Sequence, residues 1–158
     1  MEELRPGLWT WTGDHLEWTP EMTWSPEVRS YAVQLDDVRV LIDPVLPAPR
    51  ADAVLLTVPW HRRASDELEL PVLDEPPPGI EAWPGFFAEE RAYWLPAHWA
   101  IVLGDAYVDG NSAPIEWASD DPDAPARLRA LLDLPFELVL PTHGEVTDRA
   151  TFEASLRV

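Results

Sequence analysis

The segment SYAVQLDDVRVLIDP, residues 30–44, contains two strand-like runs on either side of two acidic residues. The runs Ser30–Leu35 and Val38–Ile42 consist mainly of apolar side chains, and the Asp36-Asp37 pair favours a tight turn between them. Pro44 ends the second run, because proline cannot donate to a β-ladder. The segment therefore predicts an antiparallel β-hairpin.

A further strand-like run leads into a loop with candidate functional side chains. Ala53–Leu56 is short, apolar and bounded by turn residues, which is typical of a buried strand. The loop Thr57–Arg63, TVPWHRR, follows it directly. Binding and catalytic residues are concentrated in loops at the ends of regular elements, so we expect functional chemistry in this loop.

The rest of the chain alternates strand and helix signals. Arg91–Leu95 and Trp99–Asp105 predict a second hairpin, and Leu134–Leu140 predicts a later strand. Composition, spacing and capping residues predict short helices over Arg63–Leu70, Pro125–Leu132 and Asp148–Leu156. The chain begins with strands and continues with strands and helices in alternation. This order of elements is typical of two packed sheets with helices outside. At 158 residues we expect one domain over residues 1–158.

Composition excludes several classes of partner and site. The 29 acidic residues outnumber the 11 Lys and Arg residues and give a formal charge of −18, so nucleic acid and anionic membrane surfaces would be repelled. The sequence has no cysteine, which leaves imidazole and oxygen ligands for a metal. We expect a cytoplasmic protein without a membrane span. Nine tryptophans favour a homodimer, which would cover an apolar patch.

These landmarks together resemble the metallo-β-lactamase-fold superfamily. Its early hairpin typically runs from Ser-Tyr to Ile-Asp-Pro, as residues 30–44 do. A later hairpin of the superfamily ends in Gly-Asp, as at Gly104-Asp105, and its final strand ends in a loop with a histidine, as in Pro141–Gly144. The resemblance covers roughly Gly7–Glu145. It implies an α+β fold, a reduced αββα sandwich of two mixed β-sheets with outer helices.

The resemblance also identifies the metal-ligand positions, and most of them are lost. In the superfamily the first strand-end loop reads Thr-His-x-His-x-Asp-His, and a later Gly-His-Thr-Pro-Gly segment supplies another histidine; both sets of side chains hold metal. With Thr57 on the motif threonine, this chain keeps only Asp105 and His143 as ligands. The residues at the lost positions are Val58, Trp60, Arg62, Arg63 and Phe86. The resemblance therefore implies a short, degenerate member.

Two arrangements of the degenerate site remain open. His61 lies one place out of register, but with Asp105 and His143 it would complete a mononuclear metal site, since a catalytic zinc ion normally has about three protein ligands and an open position. Alternatively, Arg62 or Arg63 replaces the metal by forming a bidentate ion pair with Asp105.

Three other side chains near these landmarks have simpler interpretations. Asp43 is assigned a structural role, as the resemblance implies for the Ile-Asp-Pro aspartate. His98 follows Pro96 and Ala97 in a turn and is expected to be exposed. His15 follows the first strand and contacts substrate only if its loop folds over the site.

For function, we expect a metal-free protein without efficient hydrolase activity that binds an unidentified small molecule or protein. The candidate pocket residues are Trp60, Arg62, Arg63 and Phe86. The alternative is a mononuclear metal-dependent hydrolase of an ester, thioester, lactone or phosphodiester. It would hold one zinc or other divalent ion through His61, Asp105 and His143 and use a metal-bound hydroxide as nucleophile. The sequence identifies no catalytic residue beyond these ligands.

Overall fold

The computed structural model describes residues 1–22, 24–113 and 121–156. These residues form two mixed β-sheets with eleven strands in total. The first sheet contains, in both chain order and spatial order, β1 (Glu2–Arg5), β2 (Leu8–Asp14), β3 (Glu27–Leu35), β4 (Val38–Ile42) and β5 (Ala53–Leu55). The second contains β6 (Glu81–Pro84), β7 (Arg91–Leu95), β8 (Ala100–Val108), β9 (Asn111–Ser112), β10 (Leu138–His143) and β11 (Thr147–Asp148). Its spatial order is β11-β10-β8-β7-β6, with β9 paired to β8.

The predicted early hairpin is confirmed. β3 and β4 pair antiparallel, and Leu35 lies opposite Val38, so Asp36-Asp37 forms the two-residue turn. Asp36 has a positive φ of 44°, which aspartate tolerates better than most residues. β5 then adds parallel to β4, and this brings the Thr57–Arg63 loop next to Asp43 at the end of the hairpin.

The core between the sheets follows from strand alternation. Along β3, Tyr31 and Val33 contribute to the cluster between the two sheets, whereas Val28 and Ala32 belong to the cluster on the outer face of the first sheet. Successive side chains of a strand point to opposite faces. Since β3 carries apolar side chains on both faces, both faces of the sheet must be packed against other parts of the chain. The hydroxyl of Tyr31 also donates to the carbonyl oxygen of Pro141 at 2.6 Å and ties the two sheets together.

Helices cover only the second sheet in the described ranges. α1 (Ala124–Ala130) contributes Leu128 to the outer cluster of this sheet, and α2 (Arg149–Ser155) contributes Phe152. Both lie close to the predicted positions. Among the described residues, short 3₁₀ helices also form at Pro96–His98 and Leu131–Asp133.

Two local predictions are wrong. Residues 63–70 form successive turns and no helix, because Arg63 and Glu69 have positive φ values of 42° and 52°, outside the right-handed helical region. The outer face of the first sheet is therefore covered by irregular chain. His98 is only 7% exposed, because the N-terminal residues Arg5 and Gly7 pack beside it.

A bulge in β8 displaces part of the strand from its ladder with β10. Pro141 of β10 lies opposite Leu103, but His143 lies opposite Val108. β8 thus inserts extra residues at Gly104–Tyr107, and such irregularities re-aim side chains next to functional sites. Gly104 has no room for a side chain, because an added Cβ would lie 2.5 Å from the Thr57 hydroxyl oxygen.

No helix among the described residues is long and apolar enough to cross a membrane. The cytoplasmic location stays a prediction.

Candidate functional site

Segments from both sheets bring together His61, Asp105 and His143. His61 lies in the loop after β5, Asp105 in the bulge of β8 and His143 at the end of β10. Oδ1 of Asp105 lies 3.0 Å from Nε2 of His61 and 3.2 Å from Nε2 of His143. One ligand atom from each residue lies within 4.8 Å of the other two. The structure thus assembles the candidate ligand set, including the residue that stood out of register.

Asp43 explains why His61 points inward. Its carboxylate is fully buried and accepts the backbone N–H of Thr57 at 2.8 Å and the Thr57 hydroxyl. Nδ1 of His61 lies 2.8 Å from Oδ2 of the same carboxylate. A carboxylate on Nδ1 fixes the imidazole tautomer and leaves Nε2 directed at the cluster. The structural role predicted for Asp43 therefore includes positioning of His61.

Electrostatics set the charge of the cluster. Burial opposes protonation of His61, but the carboxylate of Asp43 and the hydrogen bonds to Asp105 and Asp43 outweigh it and raise the pKa of His61 to about 8. Burial also opposes ionisation of Asp105, yet hydrogen bonds from His143 and His61 hold the pKa of Asp105 well below its usual range. Burial lowers the pKa of His143. At neutral pH, Asp105 is therefore ionised and lies between a protonated His61 and a neutral His143.

The donor set fits one divalent metal ion. Two imidazole nitrogens and one carboxylate oxygen suit zinc and other first-row divalent ions. A tetrahedral ion with bonds of about 2.0–2.1 Å has donor atoms roughly 3.3 Å apart; Oδ1 of Asp105 lies 3.0 and 3.2 Å from the two imidazole nitrogens, and all three donor atoms lie within 4.8 Å of one another. The Asp43 contact supplies the outer carboxylate that metal-bound histidines usually have.

The two arginines take different positions. Arg62 is exposed and pairs with Asp66 on the surface. Arg63 donates through Nη1 to the carbonyl oxygens of Arg29 and Asp43, and its Nη2 lies 3.5 Å from Nε2 of His143. Among the described residues, neither Arg62 nor Arg63 forms an ion pair with Asp105. The structure therefore does not show an arginine paired with Asp105 in place of a metal.

A cavity of about 250 Å³ opens above the cluster. Trp60 lines it, with half of its surface exposed, as do Trp24 and His15. The loop between β2 and β3 does fold over the site, since the Trp24 ring lies 4.9 Å from those of both His15 and His143. Larger surface cavities of about 380 and 470 Å³ lie elsewhere on the described chain and lack this donor cluster.

Phe86 and a neighbouring glutamate form the support behind the site. Phe86 is 2% exposed and belongs to the core under the second sheet rather than to the cavity wall. Glu90 is equally buried and accepts the backbone N–H groups of Phe86, Phe87 and Ala106. Sequence reasoning missed Glu90, because nothing distinguishes it from the exposed Glu89 before it.

The chain resembles known proteins in its structure and not in its sequence. No protein-family model matches the sequence, and a search of curated proteins finds no match. The structure does match solved structures over nearly its whole length. The metallo-β-lactamase FIM-1 from Pseudomonas aeruginosa, in its mono-zinc form, aligns with a TM-score of 0.64 at 14% identity, covering 98% of this chain and 91% of the other.

Two further matches agree. A metallo-β-lactamase from Erythrobacter litoralis gives a TM-score of 0.66 at 14% identity, covering 98% of this chain and 89% of the other. One from Hirschia baltica gives 0.63 at 14% identity, covering 98% and 94%. At such low identity the likeness concerns the fold alone. The chain has the metallo-β-lactamase fold, in the reduced α+β form that its sequence landmarks predicted.

Proposed function

We propose that this chain is a mononuclear metal-dependent hydrolase acting on a small ester, thioester, lactone or phosphodiester. The observation that carries the proposal is the convergence of His61, Asp105 and His143 around one point, with Asp43 behind His61. Asp43 has a structural role through Thr57, and its further contact with Nδ1 of His61 directs Nε2 toward the other two candidate ligands. The solved mono-zinc form of FIM-1 is a precedent for one ion on this fold.

The chain's own residues supply position, charge and shape. When bound, a divalent ion supplies Lewis acidity and lowers the pKa of a coordinated water to about 7. His61 Nε2, Asp105 Oδ1 and His143 Nε2 would hold it beside the cavity that all three residues line. The rings of Trp24 and Trp60 give that cavity an aromatic lining.

His15 is the candidate for contact with the substrate. Burial and the nearby charge of Arg63 lower the pKa of His15, so the ring is neutral at neutral pH. Its Nδ1 accepts the backbone N–H of Glu17 at 3.1 Å, which places the proton on Nε2. His15 would therefore donate a hydrogen bond from Nε2 to an oxygen of a bound substrate or to the leaving group.

The first experiment measures metal content by elemental analysis of protein purified without chelator. We expect about one equivalent of zinc, iron or manganese in the wild type and less than about a tenth of an equivalent in His143→Ala, because two protein ligands hold a divalent ion weakly. His15→Ala is the matched control: it removes a histidine of the same cavity outside the donor cluster and should keep the metal.

Metal retention in His143→Ala would contradict the proposed ligand set. A metal-loaded wild type would then be screened for turnover of the four substrate classes, with His15→Ala expected to lower kcat without loss of metal.

A second candidate is the metal-free binding module, and one observation favours it. Nη2 of Arg63 lies 3.5 Å from Nε2 of His143, so a guanidinium already borders the point where the donors converge. Together with a protonated His61, it would balance the charges of Asp43 and Asp105 without a metal. No metal in the wild type, with both variants folded alike, would favour this candidate. The cavity of about 250 Å³ would then bind a small organic ligand.

A further inference from the structure

The two carboxylate oxygens of Asp105 have different partners. Oδ1 faces both histidines, at 3.0 and 3.2 Å. Oδ2 instead accepts a hydrogen bond from the indole nitrogen Nε1 of Trp60, at 2.8 Å. An indole N–H is a donor only and can never ligate a cation, so a metal ion approaching this oxygen would compete with the Trp60 N–H for it.

Local structure holds Trp60 in this position. It lies in the turn closed by the His61 N–H donating to the Val58 carbonyl oxygen, at 3.0 Å. Its ring meets the Phe87 ring edge to face, with centroids 6.1 Å apart. Half of the Trp60 surface is nevertheless exposed. Burial of an apolar ring does not explain this position, because half of the residue's surface is exposed. The hydrogen bond from its N–H to the Asp105 carboxylate does explain it, and this bond orients the carboxylate.

We infer that Trp60 is a positioning residue for the metal centre: its N–H holds Asp105 as a one-oxygen ligand and restricts the centre to a single divalent ion. The inference rests on the proposed function. With Oδ2 turned toward the Trp60 N–H, Asp105 presents Oδ1 to the ion, and coordination of a second ion by Oδ2 would have to compete with this hydrogen bond. Hydrogen bonds to ligating carboxylates orient them, and their loss typically lowers metal affinity by about 10–100-fold.

Trp60→Phe tests the inference, because it keeps an aromatic ring beside Phe87 and removes the N–H. The matched control is Trp99→Phe, since Trp99 is 49% exposed against 52% for Trp60 and lies at the far end of β8. Each apoprotein is titrated with Co²⁺, and affinity, stoichiometry and the visible absorption of the bound ion are recorded. Thermal unfolding of the apoproteins reports on folding.

We expect the wild type and Trp99→Phe to bind one Co²⁺ with the same affinity and spectrum. Trp60→Phe should bind about 10–100-fold more weakly and with an altered absorption spectrum, because Asp105 is free to rotate and to offer both oxygens. The Trp60→Phe apoprotein should unfold at the same temperature as the Trp99→Phe apoprotein. If Trp60 had only a structural role, its replacement would change thermal unfolding and leave the Co²⁺ spectrum unchanged.

Two results would overturn the inference. One is Trp60→Phe matching Trp99→Phe in affinity and spectrum; the other is a wild type that saturates with two ions. Failure of the wild type itself to bind Co²⁺ is a different result: it refutes the proposed function and the inference with it.

Discussion

Replacing Asp43 by alanine is expected to lower the free energy of unfolding by roughly 3–5 kcal/mol, the usual cost of removing one partner from a buried charge pair. The carboxylate has no exposed surface and accepts hydrogen bonds from the Thr57 backbone, the Thr57 side chain and His61. Its removal strands all three donors away from water. Chemical denaturation of the metal-free protein measures the loss.

Asp43→Asn separates the positioning role from the structural one. Asparagine has nearly the same shape and tolerates the positive φ of 47° at this position. Its amide group, however, donates where the carboxylate accepted, so the proton of His61 would move to Nε2 and that nitrogen would lose the lone pair a metal needs. We expect metal affinity to fall by about 10–100-fold, with a smaller loss of stability of roughly 1–3 kcal/mol.

Asp52→Asn is the matched control for the Asp43 variants. Asp52 is exposed and accepts the backbone N–H of Arg39 at 2.8 Å, so the variant changes one acceptor far from the metal centre and should leave affinity unchanged. Equal metal affinity in Asp43→Asn and Asp52→Asn would show that Asp43 does not set the tautomer of His61.

Strand patterns and turn chemistry made most of the fold predictable. Residues 30–44 are a local feature: two apolar runs and an Asp-Asp turn specify their own pairing and register. Gly104-Asp105 and His143 were identified as ligand positions through the family resemblance, because each matches a landmark of the superfamily next to a strand that the sequence pattern located. Helix prediction failed at residues 63–70, where helix-forming composition is overridden by positive φ at Arg63 and Glu69.

The geometry of the site depends on non-local contacts that sequence spacing does not contain. His61 is one place out of register in the loop, and only the Asp43 carboxylate from a different strand turns it toward Asp105. The bulge that displaces Asp105 from the β8 ladder arises from its pairing with β10. Phe86 stands at a former ligand position in the sequence, yet its ring is in the core.

Glu90→Ala should destabilise the fold about as strongly as Asp43→Ala. The Glu90 carboxylate accepts three backbone N–H groups, of Phe86, Phe87 and Ala106, at 2.7, 3.2 and 2.9 Å. Each buried donor left without a partner costs about 1–3 kcal/mol, and partial relaxation of the loop reduces the sum to roughly 3–5 kcal/mol. Since Ala106 follows Asp105 directly, metal affinity should fall as well. The exposed neighbour Glu89→Ala is the control and should change stability by less than about 0.5 kcal/mol.

The pH dependence of stability distinguishes Glu90 from an ordinary buried acceptor. Burial raises the pKa of Glu90 from 4.5 to about 7, against the opposing effect of the backbone hydrogen bonds. Between these values the folded state binds more protons than the unfolded state, so the Glu90 contribution to stability falls as pH rises from 4.5 to 7. Glu90→Gln cannot titrate. The free energy of unfolding of the wild type minus that of Glu90→Gln should therefore be largest near pH 4.5 and decrease toward pH 7. Denaturant unfolding across that range measures this difference. A difference that grows with pH would mean that the three N–H groups outweigh burial and keep Glu90 ionised in the folded protein.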